Sequence, residues 1–130
     1  MSEENVEICK QAIDQWNRGE RIPDEAIHPD AEIVSRLMGG GSFHGREGAR
    51  TYRREIDEHF DEWTVIPEEW HDAGDRVVMV GQIHLHGRES GITLDQPIGF
   101  LYEVRDRQIL RFETFIEDPA EALEAAGLSE

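Results

Sequence analysis

The period of the apolar residues changes along the chain, and the change separates a mainly helical first half from a stranded second half. Between residues 3 and 18, Val6, Cys9, Ile13 and Trp16 return every three or four positions, the spacing of one helical stripe. Asn17-Arg18-Gly19 ends that helix. Pro23 suits a first helical position, so Asp24, Glu25, Ala26 and Ile27 predict a short second helix, broken by His28-Pro29. A strand over 31–37 follows. Met38-Gly39-Gly40-Gly41-Ser42 reads as a mobile lip and lacks the Gly-Lys-Ser/Thr ending of a phosphate loop. Phe43-His44-Gly45-Arg46-Glu47-Gly48 leads into a third helix with the stripe Ala49, Tyr52, Ile56 and Phe60. From Trp63 the period drops to two, giving strands over 63–70 and 76–88 with a turn at Asp72-Ala73-Gly74-Asp75. After a turn at Glu89-Ser90-Gly91, residues 97–115 hold two more strands hinged at Arg105-Asp106-Arg107, the expected floor of a pocket. Asp118-Pro119 caps a closing helix over 120–126, which Gly127 stops. Helices early and strands late predict one α+β domain over 1–130, an antiparallel sheet curling around helices.

Composition narrows the function classes. A chain of 130 residues can bury about two thirds of its unfolded surface without metals or disulfides. No stretch reaches the roughly 18 apolar residues of a membrane span, and the acidic start MSEENVEICK is unlike a signal peptide. A cytoplasmic protein with no membrane partner is expected. The 29 acidic residues against 13 basic ones, a net charge of -16, repel phosphate backbones, so nucleic acid is not an expected partner. The single cysteine, Cys9, lies on the apolar side of the first helix and reads as a buried thiol.

Five segments, WNRGE at 16–20, HPDAEI at 28–33, FHGREGAR at 43–50, GDRVVMVGQIHLHGRESG at 74–91 and IEDPAEALEAAGL at 116–128, resemble the SnoaL-like branch of the NTF2-like superfamily. The resemblance covers nearly the whole chain. It implies a cone in which a curved sheet and helices enclose a cavity, with a homodimer formed through the sheet face. It also implies a range of activities, including polyketide cyclases, ketosteroid isomerases and epoxide hydrolases, so the fold alone does not select one.

The resemblance also indicates where acid-base groups belong. In ketosteroid isomerases a carboxylate moves the proton while a tyrosine and a protonated carboxyl hold the oxyanion. The matching positions here fall near Ser35, Ala12 and Gly99, and a serine without a base cannot abstract a carbon acid's proton. The histidine and aspartate of SnoaL-type cyclases fall near Phe100 and Thr114, or on Glu113 if the last strand shifts by one. Arg111 and Glu113 are a weak echo of an epoxide hydrolase site. His84-x-His86 could chelate a metal from one strand face, but Val77, Met79, Ile83 and Leu85 occupy the alternate, inward phase, which turns both histidines outward. His44 lies beside the glycine lip.

The expected cavity lining is Trp16, Ser35, Tyr52, Ile56, Met79, Ile83, Gly99, Phe100, Phe112 and Thr114, with no metal and no cofactor. This lining suits a hydrophobic small molecule held by a few hydrogen bonds. The alternatives are a cyclase- or isomerase-like enzyme, with Glu113, His84 or His44 as catalytic candidates, and a homodimeric scaffold without a ligand.

Overall fold

Period-two segments of the second half supply four strands of a six-stranded sheet, two strands from the first half complete it, and the amphipathic helices of the first half cover its concave face. The computed structural model describes residues 2–20, 22–36, 41–116 and 118–127. In chain order these form α1 (Ser2–Asn17), a 3-10 turn (Asp24–Ala26), β1 (Ile27–Ser35), β2 (Gly41–His44), α2 (Gly45–His59), β3 (Phe60–Ala73), β4 (Arg76–Gly87), β5 (Thr93–Arg105), β6 (Gln108–Ile116) and α3 (Ala120–Ala125). The strand order is β2-β1-β6-β5-β4-β3. Among the described residues no helix is long and apolar enough to cross a membrane.

Strands β3 to β6 form the expected antiparallel meander. β1, however, joins β6 in parallel, which corrects the expectation of a wholly antiparallel sheet. A parallel pair needs a long connection, and α2 with the meander separates these two strands. The second helix shrinks to a 3-10 turn because Ile27 is already extended, at φ -115° and ψ 124°, and starts β1 opposite Ile109. Pro29 is tolerated inside β1 because it falls where the register with β6 shifts, between Ile27 and Glu32. Gly41 and Ser42, expected in a mobile lip, instead belong to β2 and pair with Ser35 and Val34. The rest of that lip, 38–40, and Leu37 of the predicted first strand lie outside the described residues.

Alternation along the strands sorts side chains into two cores. On the concave side Cys9, Ala12 and Ile13 of α1 pack against Val77, Met79, Ile83, Leu85, Ile98, Phe100, Tyr102 and Val104. Met79, Ile83 and Ile98 are fully buried, each burial contributing about 1.5–3 kcal/mol. On the other side Ala122 and Ala126, at the end of the chain, cover Val78, Leu101 and Phe115. Two features hold the helices over the sheet. The Asn17 side chain bonds both backbone groups of Val65, donating to its carbonyl at 2.7 Å and accepting from its N–H at 2.9 Å. The Arg46 guanidinium donates to the carbonyls of Asp24 and Ile27, tying the 3-10 turn to α2.

β5 and β6 are joined by a two-residue turn with Asp106 and Arg107 both left-handed, at φ 53° and 64°. The turn pairs Arg105 with Gln108, and an irregularity between Glu103 and Val104 then shifts the register by one residue, which places Tyr102 opposite Phe112 and Phe100 opposite Thr114.

Candidate functional site

Helices α1 and α2 stand clear of the sheet at one end, leaving a cavity of about 480 Å³. Its sheet wall is Ile33, Val65, Phe100, Tyr102, Ile109 and Phe112, and its helical wall includes Ala12, Ile13, Trp16 and Tyr52. Aromatic contact organises this wall. Phe112 lies 4.8 Å from Phe100, 5.1 Å from Tyr102 and 6.3 Å from Tyr52, centroid to centroid, and Trp16 lies 5.9 Å from Trp63. Arg53 stacks its guanidinium 4.4 Å over Trp16 at the opening.

Of the residues expected to line the cavity, Trp16, Tyr52, Phe100 and Phe112 do so. The other six lie elsewhere, for identifiable reasons. Met79 and Ile83 point inward but are covered by α1 in the closed part of the core. Ile56 is sealed between α2 and the sheet in the cluster with Ile33 and Tyr52. Ser35 and Thr114 are buried with their hydroxyls occupied, Ser35 sharing a 3.1 Å hydrogen bond with the Tyr52 hydroxyl and Thr114 accepting from the Arg36 N–H at 2.8 Å. Gly99 is on the opposite face of β5 from Phe100, against Pro119 and Ala122. Neighbouring residues of one regular strand cannot both face the cavity.

One polar group of the wall was not singled out from the sequence. Tyr102 is 4% exposed, and its hydroxyl makes no hydrogen bond with any described residue. No fully enclosed side-chain nitrogen or oxygen among the described residues lacks a partner, so this hydroxyl reaches open cavity space. Its position two residues from Phe100 on one strand was the available signal. Burial raises the Tyr102 pKa well above its ordinary value and pushes Tyr52 up to about 12, so both remain neutral hydrogen-bonding groups at ordinary pH.

A family model described as a SnoaL-like domain matches residues 11–112, a span that contains most of this wall and most of the sheet. The chain belongs to the SnoaL-like family. Similar solved structures place this SnoaL-like chain among NTF2-like folds. An NTF2-like protein of unknown function from Burkholderia pseudomallei K96243 superposes with a TM-score of 0.78 at 19% identity, over 93% of this chain and 95% of its own. A candidate SnoaL-like polyketide cyclase from Jannaschia sp. CCS1 gives 0.77 at 19% identity, over 99% and 94%. TerC, co-crystallised with polyporic acid, gives 0.76 at 22% identity, over 95% and 98%. At these identities the likeness is one of fold. No curated protein matches the SnoaL-like chain by sequence.

None of the three catalytic candidates lines the cavity, and His84 borders a second, polar depression that shares Trp16, Gly19, Arg53, Asp57 and Trp63 with its wall. Glu113 shares its strand face with Phe115, on the side that α3 covers, and is bound by Arg36 at 2.8 Å and Arg111 at 3.1 Å. His84 sits on the outer side of β4, with Nδ1 2.7 Å from Asp95 and Nε2 3.0 Å from Glu62. Asp95 first, then Glu62, raises the His84 pKa by hydrogen bonding to the imidazolium. His86 is held by Asp61 at 2.5 Å. His44 is exposed at the end of β2, where it precedes α2. Glu113 and His84 are therefore not brought together. No histidine lines the cavity, and no cluster of three metal-ligating groups occurs, among the described residues.

Proposed function

We propose that this SnoaL-like protein binds a hydrophobic small molecule in the cavity between the sheet and α1 and α2, and performs no acid-base chemistry there. The observation that carries this reading is the wall itself. Aromatic and aliphatic side chains form most of the wall around about 480 Å³, with Glu20, Asp24, Glu32, Asp57 and three arginines also bordering it, and the volume is within the roughly 300–1,000 Å³ range of small-molecule sites. Catalysis by proton transfer needs a titratable group within hydrogen-bonding reach of the reacting atom. The groups best placed for that in the sequence, Glu113, His84 and His44, are turned to other surfaces or tied in ion pairs, and the carboxylates that border the cavity, Glu20, Asp24, Glu32 and Asp57, are each held by an arginine. TerC, which shares the fold, was co-crystallised with polyporic acid, an example of a relative that accepts a small organic molecule.

The test is a thermal-shift screen with hydrophobic compounds of several classes, among them fused-ring aromatics, flavonoids and steroids. A ligand present at 100 times its Kd stabilises the folded state by about 2.7 kcal/mol. For a domain of this size that raises Tm by about 10 °C. No response from any class would refute the reading.

A further inference from the structure

Among the described residues, ion pairing around the cavity leaves one positive charge unmatched. Four acidic residues border the cavity, and each is already engaged: Glu20 by Arg18 at 3.0 Å, Asp24 by Arg50 at 2.5 Å, Asp57 by Arg53 at 3.2 Å, and Glu32 by Arg111. Arg54 also belongs to the wall, yet makes no hydrogen bond, ion pair or ring contact with any described residue. Arg76 likewise has no partner among the described residues, but it lies outside the cavity wall. In a protein with 29 acidic residues against 13 basic ones, carboxylate partners for an arginine are abundant. Arg54 is exposed, and a guanidinium that no described residue pairs beside the cavity is placed to receive a charge that comes from outside the chain.

The second observation is independent of the first. Tyr102 is 4% exposed, and its hydroxyl opens into the same cavity without a partner among the described residues, whereas the Ser35, Tyr52 and Thr114 hydroxyls are occupied by one another or by backbone. A buried hydroxyl donor of this kind is complementary to a ligand oxygen with free lone pairs.

We propose that the cavity takes an apolar acid, a molecule with a hydrocarbon body, an anionic carboxylate that pairs with Arg54, and a carbonyl oxygen that accepts from Tyr102. This rests on the cavity being a binding site and specifies what it binds. Arg54 provides the fork that matches a carboxylate, and the aromatic wall takes the hydrocarbon body.

Four probes separate the parts: 2-naphthoic acid, its methyl ester, 6-acetyl-2-naphthoic acid and 6-ethyl-2-naphthoic acid. Their Kd values are read from quenching of tryptophan fluorescence, since Trp16 and Trp63 border the cavity. The acid is expected to bind about tenfold tighter than its ester. Arg54→Gln should remove that preference and leave ester binding unchanged. Tyr102→Phe, with folding checked by circular dichroism, should remove the preference for acetyl over ethyl and keep the preference for acid over ester. Binding of the ester without any preference for the acid, or a preference that survives Arg54→Gln, overturns the role of Arg54 and leaves the apolar site standing. An acetyl preference that survives Tyr102→Phe overturns the role of Tyr102. Absence of binding by all four overturns the inference, and with the silent thermal screen it would overturn the site as well.

Discussion

Replacing Gly99 by alanine tests which side of β5 faces the cavity. An ideal Cβ at this position would stand 3.0 Å from the Pro119 carbonyl oxygen, 3.1 Å from the Pro119 Cα and 3.1 Å from the Ala122 Cβ, all on the segment that carries α3. These contacts are tighter than ordinary van der Waals packing, and two of the three are to backbone. Overpacking of this kind costs about 1–3 kcal/mol. Against it, loss of glycine's freedom in the unfolded chain returns about 0.4–1 kcal/mol. α3 has only six residues and can shift by a few tenths of an ångström, which places the sum near the low end. The expected outcome is a net destabilisation of about 1 kcal/mol by urea unfolding, with ligand affinity in the folded protein unchanged. A double-mutant cycle with Ala122→Gly sharpens the test, because removing the Ala122 methyl relieves one of the three contacts. The two substitutions should couple favourably by about 0.5 kcal/mol. If Gly99→Ala is neutral or stabilising, and the cycle is additive, then Gly99 does not pack on α3 and the division of β5 into two faces is wrong.

Two titrations follow from the charge environment. His84 has its pKa raised by Asp95 and then Glu62, so its stabilising effect is fully present below the ordinary histidine pKa and is lost as pH rises through the elevated folded value. Its imidazole resonances should titrate above about 6.5, and Asp95→Asn should lower the midpoint. An unchanged midpoint in that variant would show that the 2.7 Å contact is not maintained in solution. The chain has only two tyrosines, and burial raises both, with Tyr52 pushed up to about 12. Absorbance at 295 nm should therefore stay flat through pH 10 while the protein is folded. A rise near the ordinary tyrosine value of about 10 in folded protein would place a hydroxyl in water.

Much of the fold was legible because apolar period is a local property of the chain. The stripe Val6, Cys9, Ile13 and Trp16 marked α1, and the period-two phase Val77, Met79, Ile83 and Leu85 both marked β4 and turned His84 and His86 outward. The hinge at Arg105-Asp106-Arg107 was legible because polar residues that tolerate a left-handed backbone interrupt two apolar strands. Pairing with a distant segment leaves a weaker local trace. Ile27 is part of β1 because Ile109 lies beside it, and Gly41 and Ser42 are strand because Ser35 and Val34 pair with them.

The site divides in the same way. Residue types along the chain were enough to mark Trp16, Tyr52, Phe100 and Phe112 as candidate lining. Tertiary structure decided that Met79, Ile83 and Ile56 close the core beyond the cavity, because the position of a helix over the sheet, rather than strand phase, determines which inward residues meet empty space. It also decided which polar groups are free. Ser35 and Thr114 are occupied by partners 17 and 78 residues away, and Glu113 is held by Arg36, while the Tyr102 hydroxyl and Arg54 have no partner among the described residues. A hydrogen bond depends on the meeting of two groups, and for groups this far apart in the chain only the fold determines whether they meet.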